Sequence, residues 1–124
     1  MEVMVAVGVL IVATLAAFSS QLASVRLVND SRQTDTAIAD LRGCMEQVLV
    51  LQTDEIPIPA SDFADGQAIA MYTNLHLPDQ RITATYPGYA GGAIPNPLPI
   101  VLTMTWSDGL GRPRTQRLRS MKAR

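Results

Sequence analysis

Between Val3 and Phe18 the chain carries no charge, and beyond Phe18 its hydrophobic pattern changes period twice. The first stretch, sixteen residues of valine, leucine, isoleucine, alanine, methionine and phenylalanine with a single Gly8 and a single Thr14, is apolar nearly all round, as a helix in hydrocarbon must be. About twenty apolar residues are needed to cross ~30 Å of bilayer core, so the run is slightly short of a full span. From Ser19 to Gln52 there is no proline, and apolar residues recur at Leu22, Val25 and Val28, then at Ala37, Ile38, Leu41, Met45, Val48 and Leu49. Spacings of three and four define one helical stripe, with Arg26, Asp30, Arg32, Asp35, Asp40, Arg42 and Glu46 mostly outside it. The pattern predicts one helix from Met1 to about Gln52, ~78 Å long at 1.5 Å per residue, with a weak link or kink at Asn29 to Asp35.

Pro57 and Pro59 end the helical pattern, and strands and turns follow. Ile69 to Leu77 and Arg81 to Tyr86 read as strands by their β-branched and aromatic content. The loop from Pro87 through Pro95, Pro97 and Pro99 is expected to hold neither helix nor central strand. Ile100 to Trp106 alternates, with Ile100, Leu102, Met104 and Trp106 on one face. Asp108-Gly109-Leu110-Gly111 then reads as a hairpin turn. Thr115 to Met121 returns with Arg117 and Arg119 on one face and Gln116, Leu118 and Ser120 on the other. The expected architecture is α+β: a long N-terminal helix packed on an antiparallel sheet of three to four strands. It divides into a membrane or assembly half of the helix (1–20), an amphipathic half (21–52) and a β head (53–124). The stripe from Ile38 to Leu49 is the expected cover for the sheet, with Leu102, Met104 and Trp106 facing it.

Composition adds constraints. The chain has 124 residues, which is room for one domain. Mean hydropathy is slightly positive although 17% of residues are charged, as for a membrane segment joined to a polar domain. A net charge of −1 gives no reason to expect nucleic acid as a partner. Six of the ten basic residues, Arg112, Arg114, Arg117, Arg119, Lys122 and Arg124, nevertheless fall in the last thirteen positions, with no acid after Asp108. They read as a solvated strand face and end, or as a surface for an anionic partner. Cys44 is the only cysteine, which excludes an intrachain disulfide and suggests a small buried hydrophobe. His76, the only histidine, has neither cysteine nor acid at zinc-ligand spacing, and Asp54, Glu55, Asp62 and Asp65 form an acidic loop without a calcium-ligand ladder. No nucleophile elbow, Ser-His-Asp arrangement or phosphate-binding glycine loop is present, so the chain reads as structural and without a cofactor.

Glu2 directly precedes the uncharged run. A carboxylate in hydrocarbon costs roughly 2.5–3.5 kcal/mol on insertion scales, so a partner is expected for it; at the headgroup level it would simply suit the helix dipole. Glu2-Val3-Met4-Val5-Ala6-Val7, followed by Gly8-Val9-Leu10-Ile11-Val12-Ala13, resembles the N-terminal segment of the type IV pilin and pseudopilin superfamily. The family's glutamate falls on Glu2. The family's basic leader, its Gly cleavage site and the Phe-Thr-Leu before the glutamate are not in this sequence, so the resemblance implies a start upstream of Met1 or a truncated chain. A strand ending Trp106-Ser107-Asp108, a glycine turn and an arginine-rich last strand resemble small minor pilins and pseudopilins more loosely.

The resemblance implies a minor subunit of a pilus-like or type II secretion filament, held first in the bacterial inner membrane as a single-pass protein with its head outside. Its implied partners are other such subunits along the N-terminal helix, and a prepilin peptidase where a leader exists. Glu2 would pair with a neighbour's α-amino group. The alternatives are an anchored or secreted binding module, including one whose apolar run is a signal peptide, and a DNA-binding minor pilin that uses the terminal arginines.

Overall fold

The computed structural model describes residues 2–124. One α-helix, α1 (Glu2–Val50), is followed by a turn-rich segment with a short 3-10 helix at Ala70–Tyr72, and then by β1 (Arg81–Thr85), β2 (Leu98–Ser107) and β3 (Pro113–Lys122). The chain divides into two compact units, its first 32 residues and Gln33–Arg124. The first unit is helical from Glu2 onward, and α1 continues through Asn29 to Asp35. Leu22, Val25 and Val28 remain 53–66% exposed, so the helical stripe gains cover only from Ala37 onward.

In the second unit the strands form an antiparallel sheet in the order β1-β2-β3. Met104 lies opposite Ile82 on one side and Gln116 on the other. Every second residue of β2 from Leu98 to Trp106 is buried, as the alternation predicts. That face packs against Ala37, Leu41, Cys44, Met45 and Val48 of α1. Ile56, Phe63, Ile69, Tyr72 and Tyr86 close the rest of the core, and the Tyr86 hydroxyl donates to the Phe63 carbonyl at 2.7 Å. Leu49, expected in the stripe, is 39% exposed, and Asp40, expected outside it, is buried. Residues 37, 40, 41, 44, 45 and 48 are the set that shares one side of a 3.6-residue helix.

Two expected elements come out differently. Ile69 to Leu77 is not a strand. Gly66 and Ile69 donate backbone bonds to Ala84 and Ile82, giving one bridge between Ala68 and Thr83, after which the chain coils. Asn74 and Asp79 take positive φ there, and Ile69, Tyr72 and Leu77 reach the core from turns rather than by strand alternation. Pro99, conversely, belongs to β2, the central strand. The ladder bond from Asp108 N to Arg112 O sets the even-numbered positions of β2 to bond β3, so the nitrogen of Pro99 points the other way. There β1 has already ended, its last pair being Thr85 with Val101, and no carbonyl waits for the missing N–H.

Candidate functional site

Helix α1 begins at Glu2, the one acid in its first turn. Behind it the large apolar side chains stand open: Val3 is 76% exposed, Met4 81%, Leu10 69% and Phe18 62%. The most apolar window of the helix has a mean hydropathy of 2.3 with none of it buried, so this helix is long and apolar enough to cross a membrane. Covering a large aliphatic or aromatic side chain is worth roughly 1.5–3 kcal/mol. For the ten such residues from Val3 to Phe18 the sum exceeds about 10 kcal/mol, as much as the whole stability of a typical domain. Such a surface makes this helix a candidate membrane span. Its polar groups are internally satisfied: the Thr14 hydroxyl donates back to the Leu10 carbonyl, and that of Ser19 to Ala16 at 2.9 Å. A Cβ built on Gly8 would meet nothing within 4 Å, so no packing within the chain requires the glycine. It opens instead a shallow apolar groove with Val5, Val9, Val12, Ala13 and Ala16.

The six C-terminal cations do not form one surface. Asp108 gathers two of them around the hairpin turn: Arg112 at 2.9 Å and Arg114 at 3.2 Å both reach its Oδ2. Its Oδ1 accepts the Arg112 and Leu110 backbone N–H groups at 2.9 Å each. The Arg112 backbone bond leads in holding this carboxyl at about 2, below the usual 3.8; burial opposes it, and the Leu110 N–H and the Arg112 side chain reinforce it. Gly111 closes the turn at φ 72°, a left-handed value that glycine takes without a Cβ clash. Lys122 turns to the helix side and donates to the Leu49 and Leu51 carbonyls, capping the end of α1 with a cation where the helix dipole favours one. Arg124 pairs with Asp54.

Arg117 and Arg119 alone remain on the open side of β3. Strand register places them in rows: Arg81–Thr105–Thr115, Thr83–Thr103–Arg117 and Thr85–Val101–Arg119. The open face of the sheet thus carries three arginines and five threonines, and no strand contains an acid. Asp79 lies at its hairpin end and accepts the Ser107 hydroxyl at 2.8 Å. The aromatics Trp106 and Tyr86 are buried on the other side, so the arginine face has no ring on which a base could stack.

Sequence spacing gave no sign of one cluster. Gln80, fully buried, donates Nε2 to Asp40 Oδ2 at 2.8 Å, while its Oε1 accepts the backbone N–H groups of His76 and Leu77 at 2.9 Å each. The same Asp40 carboxylate lies 3.0 Å from His76 Nδ1. The acid missing near His76 in sequence is therefore supplied by α1, thirty-six positions away. The cluster pins the turns after the 3-10 helix to α1, and among the described residues no three potential metal ligands come together. Cys44 is free and fully buried, and burial pushes its thiol up to about 12.

No protein-family model, curated protein or solved structure matches this chain.

Proposed function

We propose that this chain is a structural subunit of a type IV pilus-like or type II secretion pseudopilus filament, a minor one that primes assembly or sits at the tip. The observation that carries the reading is an uncovered apolar helix whose first turn holds a carboxylate. The apolar surface by itself calls only for lipid. Glu2 calls for more: the helix dipole offers about 0.3–1 kcal/mol, less than the 2.5–3.5 kcal/mol that a carboxylate drawn into hydrocarbon costs. A cation from a neighbour makes up the difference, and the α-amino group of an adjacent subunit is one that comes with every copy. Stacking this helix with its equivalents is a heterologous contact that does not close, so it propagates as a helical polymer. The open groove at Gly8 supports close helix approach in such a stack. Before assembly the same helix would hold the chain in the inner membrane as a single span with the head outside.

The test is substitution of Glu2. Glu2→Ala and Glu2→Gln are expected to leave the protein made and membrane-inserted but poorly incorporated into filaments, with Glu2→Asp retaining part of the function. The readout is sheared-filament or secretion yield against the membrane-bound pool, in cells that require this subunit. Normal assembly by both the Ala and Gln variants would leave an anchored binding module as the better description.

A further inference from the structure

The sheet has one covered edge and one open edge. Along β1, Gly66 and Ile69 donate backbone bonds to Ala84 and Ile82, so the chain ahead of the 3-10 helix already lies on that side. Along β3 the even positions bond β2, and the N–H and C=O groups of Thr115, Arg117, Arg119 and Met121 point away from the sheet. All four residues are exposed, and these backbone groups find no partner among the described residues. Proteins commonly blunt such an edge by shortening it, bulging it or breaking it with proline. Beyond Pro113 this strand does none of these, since it pairs with β2 without a gap as far as Lys122. On the open face of the sheet Arg117 and Arg119 stand with Arg81, all three exposed and without ion pairs among the described residues. No strand contributes an acid to that face, and Asp79 lies at the hairpin end, bonded to Ser107, two rows beyond the row of Arg117. On the other face Leu118, half-buried, sits at the margin of the core.

We propose that the β3 edge takes up an extended segment of another protein as a fourth strand, one that is acidic at alternate positions and apolar between them. Opposite Arg117 and Arg119, two acids spaced by one residue fall on the arginine face, where cross-strand pairs of opposite charge attract. The residue between them falls opposite Leu118 and extends the core, because successive side chains alternate across the sheet. Main-chain bonds supply affinity in this mode of recognition, and the alternating side chains supply selectivity. A second copy is a poor occupant: its own β3 would set arginine against arginine, and none of its strands contains an acid. Nucleic acid is also weaker, because three arginines neutralise few phosphates and the aromatics Trp106 and Tyr86 are buried on the other side. The edge belongs to the head, and its occupancy goes beyond the filament reading and does not depend on Glu2.

The experiment uses the full-length chain in detergent micelles and follows, by fluorescence anisotropy, a fluorescein-labelled peptide reading Thr-Val-Glu-Val-Glu-Val-Thr. The wild-type chain is expected to bind it saturably, and less tightly as salt is raised, as for any pair of exposed charges. A peptide of the same composition with its two glutamates adjacent, and one N-methylated at alternate amides, should each bind about tenfold or more weakly, the first through lost register and the second through lost backbone bonds. Arg117→Glu/Arg119→Glu should lose the peptide by about tenfold or more while keeping the Trp106 emission of the folded head, and should gain affinity for the version with lysine in place of glutamate. The same pattern is expected in a Glu2→Ala background, so the filament reading and the edge fail or stand separately. No saturable binding by the wild-type chain overturns the proposal, and so does equal binding of the N-methylated or adjacent-glutamate peptide, which would reduce the contact to unspecific charge. Absence of peptide binding together with retention on duplex DNA, or with self-association in sedimentation, that Arg117→Glu/Arg119→Glu abolishes would give the face to nucleic acid or to a second copy instead.

Discussion

Replacing Gln80 with Leu removes a side chain that no solvent reaches and that holds three polar partners. The bond from Nε2 to the Asp40 carboxylate is charge-assisted, a kind whose loss is about 1.5–3 kcal/mol. The Leu77 N–H is buried and would be left without an acceptor, a further ~1–3 kcal/mol. The His76 N–H belongs to an exposed residue, and water can replace its acceptor at little cost. Together the change is expected to destabilise the head by about 3 kcal/mol or more, a large part of the 5–15 kcal/mol typical of a domain. For a unit of this size that lowers Tm by about 12 °C or more. Trp106, the only tryptophan and 5% exposed, is the natural probe, since its emission shifts to the red when the head opens. Asp40→Asn supplies the second side of a double-mutant cycle with Gln80→Leu, and the pair should couple strongly because the two side chains touch. A drop in Tm below about 4 °C for Gln80→Leu would show that this buried cluster contributes little to holding the turns on α1.

Two further outcomes can be checked with the same protein. The Asp108 carboxyl is lowered from 3.8 to about 2 in the folded state, so its stabilisation is complete above the unfolded value and is lost as pH falls through about 2. Asp108→Asn should therefore be less stable near neutrality and show a flatter dependence of Tm on pH between about 4 and 2; an unchanged acid limb would refute the assignment. Cys44, with its thiol pushed to about 12, should resist alkylation in the folded protein by more than about a hundredfold relative to the denatured chain, and rapid native labelling would contradict its burial.

Local pattern alone was enough for several features. The uncharged run, the proline-free stripe behind it and the alternation from Ile100 to Trp106 each bear on a single period, and a period is a property of neighbours in sequence. Helix α1, strands β2 and β3, the glycine turn between them and the burial of Met104 and Trp106 follow from it. The position of Glu2 at the head of the apolar run was equally legible, because position is a matter of adjacency.

Tertiary structure decided the features that depend on what lies across the fold. Whether Pro99 can sit in a central strand depends on where β1 ends, and whether Asp40 faces solvent depends on Gln80 meeting it from a distant turn. Ile69 to Leu77 has strand-like composition, yet β1 takes only two of its neighbouring backbone groups before the turns intervene. The basic tail shows the division most clearly. Six cations close in sequence look like one surface, but strand alternation and the hairpin send Arg112 and Arg114 to Asp108, Lys122 to the end of α1 and Arg124 to Asp54. Arg117 and Arg119 are left to meet Arg81 on a face assembled from three separate strands, because side-chain direction is set by local alternation while company is set by register.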